Sequence, residues 1–121
     1  MALLRTQEID GVLVVRFQES KILDEVKIQE IGSELLQAAG AATGKRLVLN
    51  FSGVDFMSSA MIGKLVLLNK KCKAEGVTLK LSNISDSVAE VFEIMKLSKI
   101  FDMYKTEEKA VKAFDSKGWF S

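Results

Sequence analysis

Histidine and proline are absent from this chain of 121 residues, and cysteine occurs once. Histidine is the side chain most used for proton transfer near neutral pH and the commonest metal ligand, so a Ser-His-Asp or Cys-His catalytic set cannot form within the chain. Cys72 has no second cysteine with which to form a disulfide, which favours a reducing compartment. It falls in a helical apolar pattern, as a small buried residue does. These absences argue against an enzyme and against a bound metal.

Long apolar runs and a large net charge are also missing. The formal net charge is +1, so no overall electrostatic attraction draws the chain to nucleic acid or to an anionic membrane. No run approaches the ~20 apolar residues that span a bilayer, and the first seven residues do not resemble a signal peptide. Hydrophobic residues make up 48% of the chain, enough for a core. We expect a single cytoplasmic domain over residues 1–121, with no direct membrane insertion.

Lysines give the middle of the chain a basic character, but no aromatic residues interleave with those of the predicted helix to stack on bases. A solvated helix face explains them better than nucleic-acid binding does. The lysines concerned are Lys64, Lys70, Lys71, Lys73 and Lys80.

Apolar periodicity predicts alternating strands and helices. The predicted strands are residues 3–8, 12–17, 46–51, 77–81 and 100–104. The predicted helices begin at Asp24, at the Ser58–Ser59 pair, at the capping-box pattern Ser87-Val-Ala-Glu90 and at Thr106, and the first two end near Gly40 and Gly76. Residues 18–23 are predicted to be a loop. Trp119 and Phe120 either fold back onto the body of the protein or remain loose.

This order of elements predicts an α/β fold. The alternation favours a mixed, mainly parallel sheet flanked by about four helices. The first two strands are joined by Asp10-Gly11, a good tight-turn pair, and should add an N-terminal antiparallel hairpin. The apolar run Leu47-Val48-Leu49 is typical of a strand that is covered on both faces.

The stretch from Asn50 to Lys64 leads from a strand into a helix and carries two adjacent hydroxyls, Ser58 and Ser59. A serine at a helix start commonly caps the helix by accepting backbone hydrogen bonds. A phosphate at the same place would meet free N–H groups and the positive end of the helix dipole, and would change the charge of the surface. One serine of the pair can cap while its neighbour is exposed, so both interpretations stand.

No cofactor site is indicated near this junction. Asp55 is the only carboxylate close to it in sequence, and one carboxylate without histidine is a poor catalytic or metal-binding set. It is either a loop residue or part of a recognition surface. Gly63-Lys64 lacks the glycine spacing and the following hydroxyl of a phosphate-binding loop, and no dinucleotide fingerprint occurs.

Three parts of the chain resemble the STAS domain, the fold of bacterial anti-sigma factor antagonists that also occurs in sulfate transporter tails. The segment from Val48 to Ser59 resembles the family's strand and its Phe-Met-Asp-Ser-Ser-Gly motif, Leu23-Asp24 resembles the Leu-Asp before the first helix, and residues 84–100 resemble the third helix and its exit. Within the motif, Ser58 stands at the Asp, Ala60 at the second serine and Met61 at the glycine, while Gly63 matches a further family glycine.

The resemblance implies a STAS-like fold and a partner-switching function. In family antagonists the serine after the Asp is phosphorylated by an anti-sigma factor that is itself a serine kinase, and the unphosphorylated form binds that kinase and frees the sigma factor. Carried to this chain, the phosphorylated residue is Ser59, with Ser58 as the less favoured choice, and a serine phosphatase is a further partner. The residues predicted to contact the partner are Glu19, Ser20, Lys21, Asp55, Phe56, Met57, Ser58, Met61 and Ile62.

A second interpretation remains open. The chain could be a constitutive STAS interaction module, a scaffold subunit or an accessory domain of a transport system, in which both serines serve only the helix. Reversible phosphate on Ser59 distinguishes the two interpretations.

Overall fold

Strands and helices alternate along the chain in the computed structural model, which describes residues 3–115. The strands are β1 (Leu4–Ile9), β2 (Val12–Phe17), β3 (Lys21–Ile22), β4 (Arg46–Asn50), β5 (Phe56–Met57), β6 (Thr78–Ser82) and β7 (Asp102–Tyr104). The helices are α1 (Glu25–Ala41), α2 (Ser59–Glu75), α3 (Asp86–Ile94) and α4 (Glu107–Asp115), with a 3₁₀ turn at Thr43–Lys45. Among these residues no helix is both long enough and apolar enough to cross a bilayer.

The main sheet has five strands in the order β1-β2-β4-β6-β7. The pair β1–β2 is antiparallel, and the other three pairs are parallel. Asp10 and Gly11 turn the hairpin, and both have positive φ (52° and 78°), which the aspartate and glycine of such turns tolerate. The predicted mixed sheet with its N-terminal antiparallel hairpin is therefore confirmed.

The sheet separates two apolar clusters. Alternate residues of a strand point to opposite faces, so Leu47 and Leu49 of β4 pack in the larger cluster with α1, α2 and α3, and Val48 packs in the smaller cluster with α4. All three side chains are fully buried. This two-sided burial explains the uninterrupted apolar run of β4.

Helices α1 and α2 lie side by side and both begin at the edge of the sheet where the parallel strands end. Asp24 caps α1, since its carboxylate accepts a hydrogen bond from the Lys27 N–H at 3.0 Å. Gly76 ends α2 in the left-handed conformation, with φ of 74°. Both ends agree with the sequence prediction.

The third helix begins two residues earlier than predicted. The side chain of Ser85, not Ser87, accepts a hydrogen bond from the Val88 N–H, at 3.3 Å. This start directs Val88 and Phe92, four residues apart, into the larger cluster.

Other differences from the prediction exceed a single residue at a strand end. Strand β7 begins at Asp102 rather than Ile100, because the N–H groups of Ile100 and Phe101 donate to the Leu97 carbonyl in a turn. The predicted loop at residues 18–23 contains the two-residue strand β3. Trp119 and Phe120 lie outside the described residues.

Candidate functional site

The two serines at the start of α2 have different environments. Ser58 is the cap residue: it has extended backbone angles, it is half-buried, and its Oγ accepts a hydrogen bond from the Met61 N–H at 3.3 Å. Ser59 is the first residue of the helix and is exposed. The capping role therefore belongs to Ser58, and the Ser59 hydroxyl faces solvent.

A short parallel ladder brings the loop before α1 beside the loop before α2. Strand β3 pairs with β5, so that Lys21 lies opposite Phe56 and Ile22 opposite Met57. The Ser20 carbonyl accepts hydrogen bonds from the N–H groups of Asp55 at 2.7 Å and Phe56 at 3.2 Å. The Ile22 carbonyl accepts from the Ser58 N–H at 3.1 Å. Two loops more than 30 residues apart in the chain thus form one backbone unit that leads directly into α2.

Four of the predicted contact residues and the predicted phosphorylation site are exposed around this ladder, and we call these five residues the β3–β5 surface. Its members are Ser20, Lys21, Asp55, Phe56 and Ser59. The Phe56 side chain is 44% exposed, which is unusual for a large aromatic residue. The surface combines one aromatic side chain, one positive charge, one negative charge and two hydroxyls.

The other predicted contact residues lie at or below the margin of this surface. Met57, Met61 and Ile62 are buried in the larger apolar cluster, and Met61 and Ile62 have no exposed area at all. Their side chains support the helix start from within. Glu19 is half-buried and its carboxylate forms an ion pair with the Lys27 ammonium, which holds the loop against the first turn of α1.

Two exposed apolar residues lie at the same edge of the sheet, and the second of them was absent from the predicted partner surface. Leu23 follows β3 directly and is 52% exposed, and Val26 in the first turn of α1 is 64% exposed. The signal for Val26 was present in the sequence, since it is apolar but falls outside the buried stripe of its helix. Both residues extend the apolar part of the edge on which Ser59 lies.

Two features of the described residues concern metal binding and thiol chemistry. Among residues 3–115 no group of three histidine, cysteine, aspartate or glutamate side chains could hold a metal ion. Burial raises the pKa of the Cys72 thiol to about 11, so this thiol stays protonated at neutral pH. The arrangement at the start of α2 is suited to binding and to a change of charge.

The sequence profile of the STAS domain family matches residues 4–110. A Bordetella bronchiseptica protein named as an anti-sigma factor antagonist, BtrV, is 30% identical over 92% of this chain and 93% of its own length.

Solved structures share the fold. A protein of Planctomyces limnophilus described as an anti-sigma-factor antagonist (STAS) domain protein is 26% identical, with a TM-score of 0.80 over 93% of this chain and 98% of its own. The anti-sigma factor antagonist SpoIIAA in its unphosphorylated form is 21% identical, with a TM-score of 0.75 over 93% and 96% of the two chains. Bacillus SpoIIAA in its phosphorylated form is 20% identical, with a TM-score of 0.68 over 92% and 98%.

Proposed function

This chain belongs to the STAS domain family, and we propose that it is a cytoplasmic anti-sigma factor antagonist that works by partner switching. In this proposal its unphosphorylated form binds an anti-sigma factor that is also a serine kinase. Phosphorylation of Ser59 by that kinase weakens the complex, and a serine phosphatase reverses the modification. The protein acts by binding and carries out no chemistry of its own. One observation carries the proposal: an exposed serine hydroxyl opens α2 while its neighbour, Ser58, supplies the cap.

Ser59 is the better phosphate acceptor of the pair. The Ser58 Oγ already accepts the Met61 N–H, and a phosphate on that oxygen would disturb the cap. The Ser59 hydroxyl faces solvent, and its modification leaves the cap in place. A kinase can therefore reach Ser59 without unfolding the first turn of α2.

A phosphate on Ser59 would change the charge of the surface more than its shape. It brings nearly two negative charges and three acceptor oxygens, placed where the helix dipole and the first N–H groups of α2 favour an anion. The hydrogen bonds from Asp55, Phe56 and Ser58 to the neighbouring loop hold the backbone of the surface. A partner that fits the neutral surface would then meet a strongly negative one of nearly the same shape.

The relatives support this proposal. BtrV is named as an anti-sigma factor antagonist, and the similarity extends over nearly the whole of both chains. SpoIIAA, which has the same fold, has been solved in unphosphorylated and phosphorylated forms, so the fold accommodates a phosphate.

Substitution at Ser59 tests the consequence of added charge. We expect Ser59→Asp to weaken binding of the partner by about tenfold or more, because like-charge or unpaired charge at an interface costs upwards of ~1.4 kcal/mol. Ser59→Ala removes only a hydroxyl and should bind as the wild type does. Affinities would be measured by calorimetric titration with the kinase that copurifies with this protein.

Ser87→Asp is the matched control for this experiment, because Ser87 is also an exposed serine in the first turn of a helix, α3. It should bind with wild-type affinity. Equal affinities of Ser59→Asp and Ser59→Ala would contradict the proposal.

Phosphosite mapping by mass spectrometry on protein recovered from its own cells tests the modification itself. Phosphate on Ser59 that rises and falls with growth conditions, together with a copurifying serine kinase, is the expected result. Unmodified Ser59 under every condition, with a stable partner attached, would favour the constitutive interaction module. One observation favours the constitutive module: Ser58 and Met61 stand where the family motif has Asp and Gly.

A further inference from the structure

A chain of hydrogen bonds on the α4 side of the sheet leads to the loop that precedes Ser59. It starts at Glu107, the first residue of α4. The Glu107 carboxylate accepts two hydrogen bonds from the Arg16 guanidinium, from Nε at 2.9 Å and from Nη2 at 2.8 Å. It accepts a third from the Asn50 Nδ2 at 2.8 Å. Glu107 therefore joins α4 to the ends of strands β2 and β4.

The carboxylate determines which way the Asn50 amide points. An ionised carboxylate only accepts hydrogen bonds, so the nitrogen of the amide must face Glu107 and the oxygen must face away from it. That oxygen, Oδ1, accepts from the Ser52 N–H at 2.7 Å. Asn50 is only 7% exposed, so water cannot readily replace either partner.

Ser52 lies in the turn from which the loop starts. The Val54 N–H donates to the Phe51 carbonyl at 2.9 Å, and Gly53 has φ of +88°, which describes a tight turn with its glycine at the third position. The Phe51 N–H donates to the Ser82 carbonyl of β6 at 2.9 Å. Beyond this turn the backbone enters β5 and then Ser58, so the direction of the turn sets where Asp55 and Phe56 lie.

We infer that Glu107 is a positioning residue for the loop at residues 52–57, and that α4 thereby acts on the β3–β5 surface from the opposite side of the sheet. The Asn50 amide transmits the effect, because its two ends contact Glu107 and the Ser52 N–H. The functional importance of this loop rests on the proposed function. The positioning of the loop by Glu107 is a property of the isolated protein.

The charge state of Glu107 supports this arrangement. The hydrogen bonds from Arg16 hold the pKa of the Glu107 carboxyl below its ordinary value, so the group is ionised at neutral pH and can only accept. Helix α4 also stays in place by other contacts, since Ala110, Val111 and Phe114 are buried against the sheet. Replacing Glu107 should therefore release the loop without detaching the helix.

Glu107→Gln and Glu108→Gln form a matched pair of variants. The two glutamates are adjacent in the first turn of α4, but Glu108 is largely exposed, and its ion pair within residues 3–115 is a 4.0 Å contact with Lys112. In Glu107→Gln the side-chain amide can donate as well as accept, so the Asn50 amide is no longer held in one orientation. We expect amide hydrogen exchange at Ser52, Val54 and Asp55 to accelerate by about tenfold, the effect of losing one hydrogen bond.

Nuclear magnetic resonance on the isolated protein provides the readouts. The Asn50 side-chain amide and the Ser52 amide should shift in Glu107→Gln and stay in place in Glu108→Gln. Amides in the middle of α1 should accelerate clearly less than the Ser52 amide, because the variant disturbs the loop more than it lowers the global stability. Arg16→Lys is a second variant, which keeps the positive charge but loses the two-point contact with Glu107. It should change the same chemical shifts and exchange rates as Glu107→Gln, but by less.

Asn50→Ala completes the test. Its effect on Ser52 exchange should not add to that of Glu107→Gln, because both substitutions break the same chain of contacts. The inference is overturned if the Ser52 amide exchanges at the same rate in Glu107→Gln and Glu108→Gln. It is also overturned if exchange accelerates equally throughout the sheet. None of these measurements requires a partner, so a protein in which Ser59 is never phosphorylated could still confirm the positioning role.

Discussion

At the scale of single residues, the two adjacent serines at the start of α2 differ in their structural roles. Ser58 has extended backbone angles that bring its Oγ back to the Met61 N–H, whereas Ser59 is already helical and its side chain points to solvent. A capping side chain satisfies a helix N–H that has no partner within the helix. The structural task therefore rests on Ser58, and the cap does not require the Ser59 hydroxyl.

Stability measurements on the two alanine variants test this division. We expect Ser58→Ala to lower the free energy of unfolding by about 1 kcal/mol, the usual cost of a lost cap. Ser59→Ala should change it by less than about 0.5 kcal/mol, as at other exposed sites. Chemical denaturation followed by circular dichroism would give both values. A loss at Ser59 as large as that at Ser58 would show that the capping assignment is mistaken.

At the scale of elements, α2 has a buried stripe and a face without bulky groups beside Ser59. Met61, Leu65 and Leu68 form part of the stripe that packs in the larger apolar cluster. Gly63 lies four residues after Ser59, which places it on the same face one turn further along. An added Cβ at Gly63 would meet nothing within 4 Å, so the absence of a side chain there is not required by packing. In the proposed function, this open face would let a partner approach the helix backbone closely.

Substituting Gly63 separates stability from recognition. Gly63→Ala should raise the free energy of unfolding by about 0.5–1 kcal/mol, because alanine favours the helix. The same variant should bind the partner more weakly, since its methyl group stands beside Ser59 on the contact face. Denaturation and calorimetric titration would measure the two effects.

Gly40→Ala in α1 is the control for the Gly63 substitution, because its Cβ would also meet nothing within 4 Å and it lies at the far end of its helix from the β3–β5 surface. It should bind as the wild type does. If Gly63→Ala binds with unchanged affinity, the partner does not contact this face of α2.

At the scale of the whole molecule, the sheet lies between two unequal layers. Three helices cover one face, and α4 packs on the other against Val12, Val14 and Val48. A charged pair reinforces the smaller layer, since Glu107 of α4 receives both hydrogen bonds from Arg16 of β2. Acid should therefore weaken the attachment of α4.

Acid titration of stability tests this attachment. The pKa of Glu107 is lowered from 4.5 in the folded protein, so the unfolded chain binds a proton first as pH falls. The contribution of the Glu107 charge to folding stability is complete above pH 4.5. It is lost as the pH falls through the lowered pKa of the folded protein. At pH 7 we expect Glu107→Gln to cost about 1 kcal/mol of unfolding free energy, a modest value because the pair is only partly buried.

The difference in unfolding free energy between the wild type and Glu107→Gln should shrink as the pH falls below 4.5. The unfolding free energy of Glu108→Gln should follow that of the wild type at every pH. Denaturation curves recorded at several pH values would measure it. A difference that does not change with pH would mean that the Glu107 charge contributes nothing to folding.

Local patterns in the sequence were sufficient for the main elements and for the helix start at the serine pair. The apolar periods predict the sheet with its hairpin and the four helices, and the resemblance of residues 48–59 to the family motif directs attention to the start of α2. The buried stripe of α2 also contains Met61, and it was the better guide to that residue than the family motif, which suggested a partner contact. Periodicity reports burial directly, because it reflects the side of the helix that meets the core.

The sequence by itself determined the fold class, the caps at Asp24 and at the serine pair, and the absence of any histidine-based chemistry, because each depends on residue types and on spacing within a few residues. Only the tertiary structure decided which loops meet and which side chains reach the surface. The pairing of β3 with β5 joins segments about 35 residues apart, and the contact of Arg16 with Glu107 joins residues 91 apart. Such contacts arise from the packing of whole elements, and no local pattern encodes them.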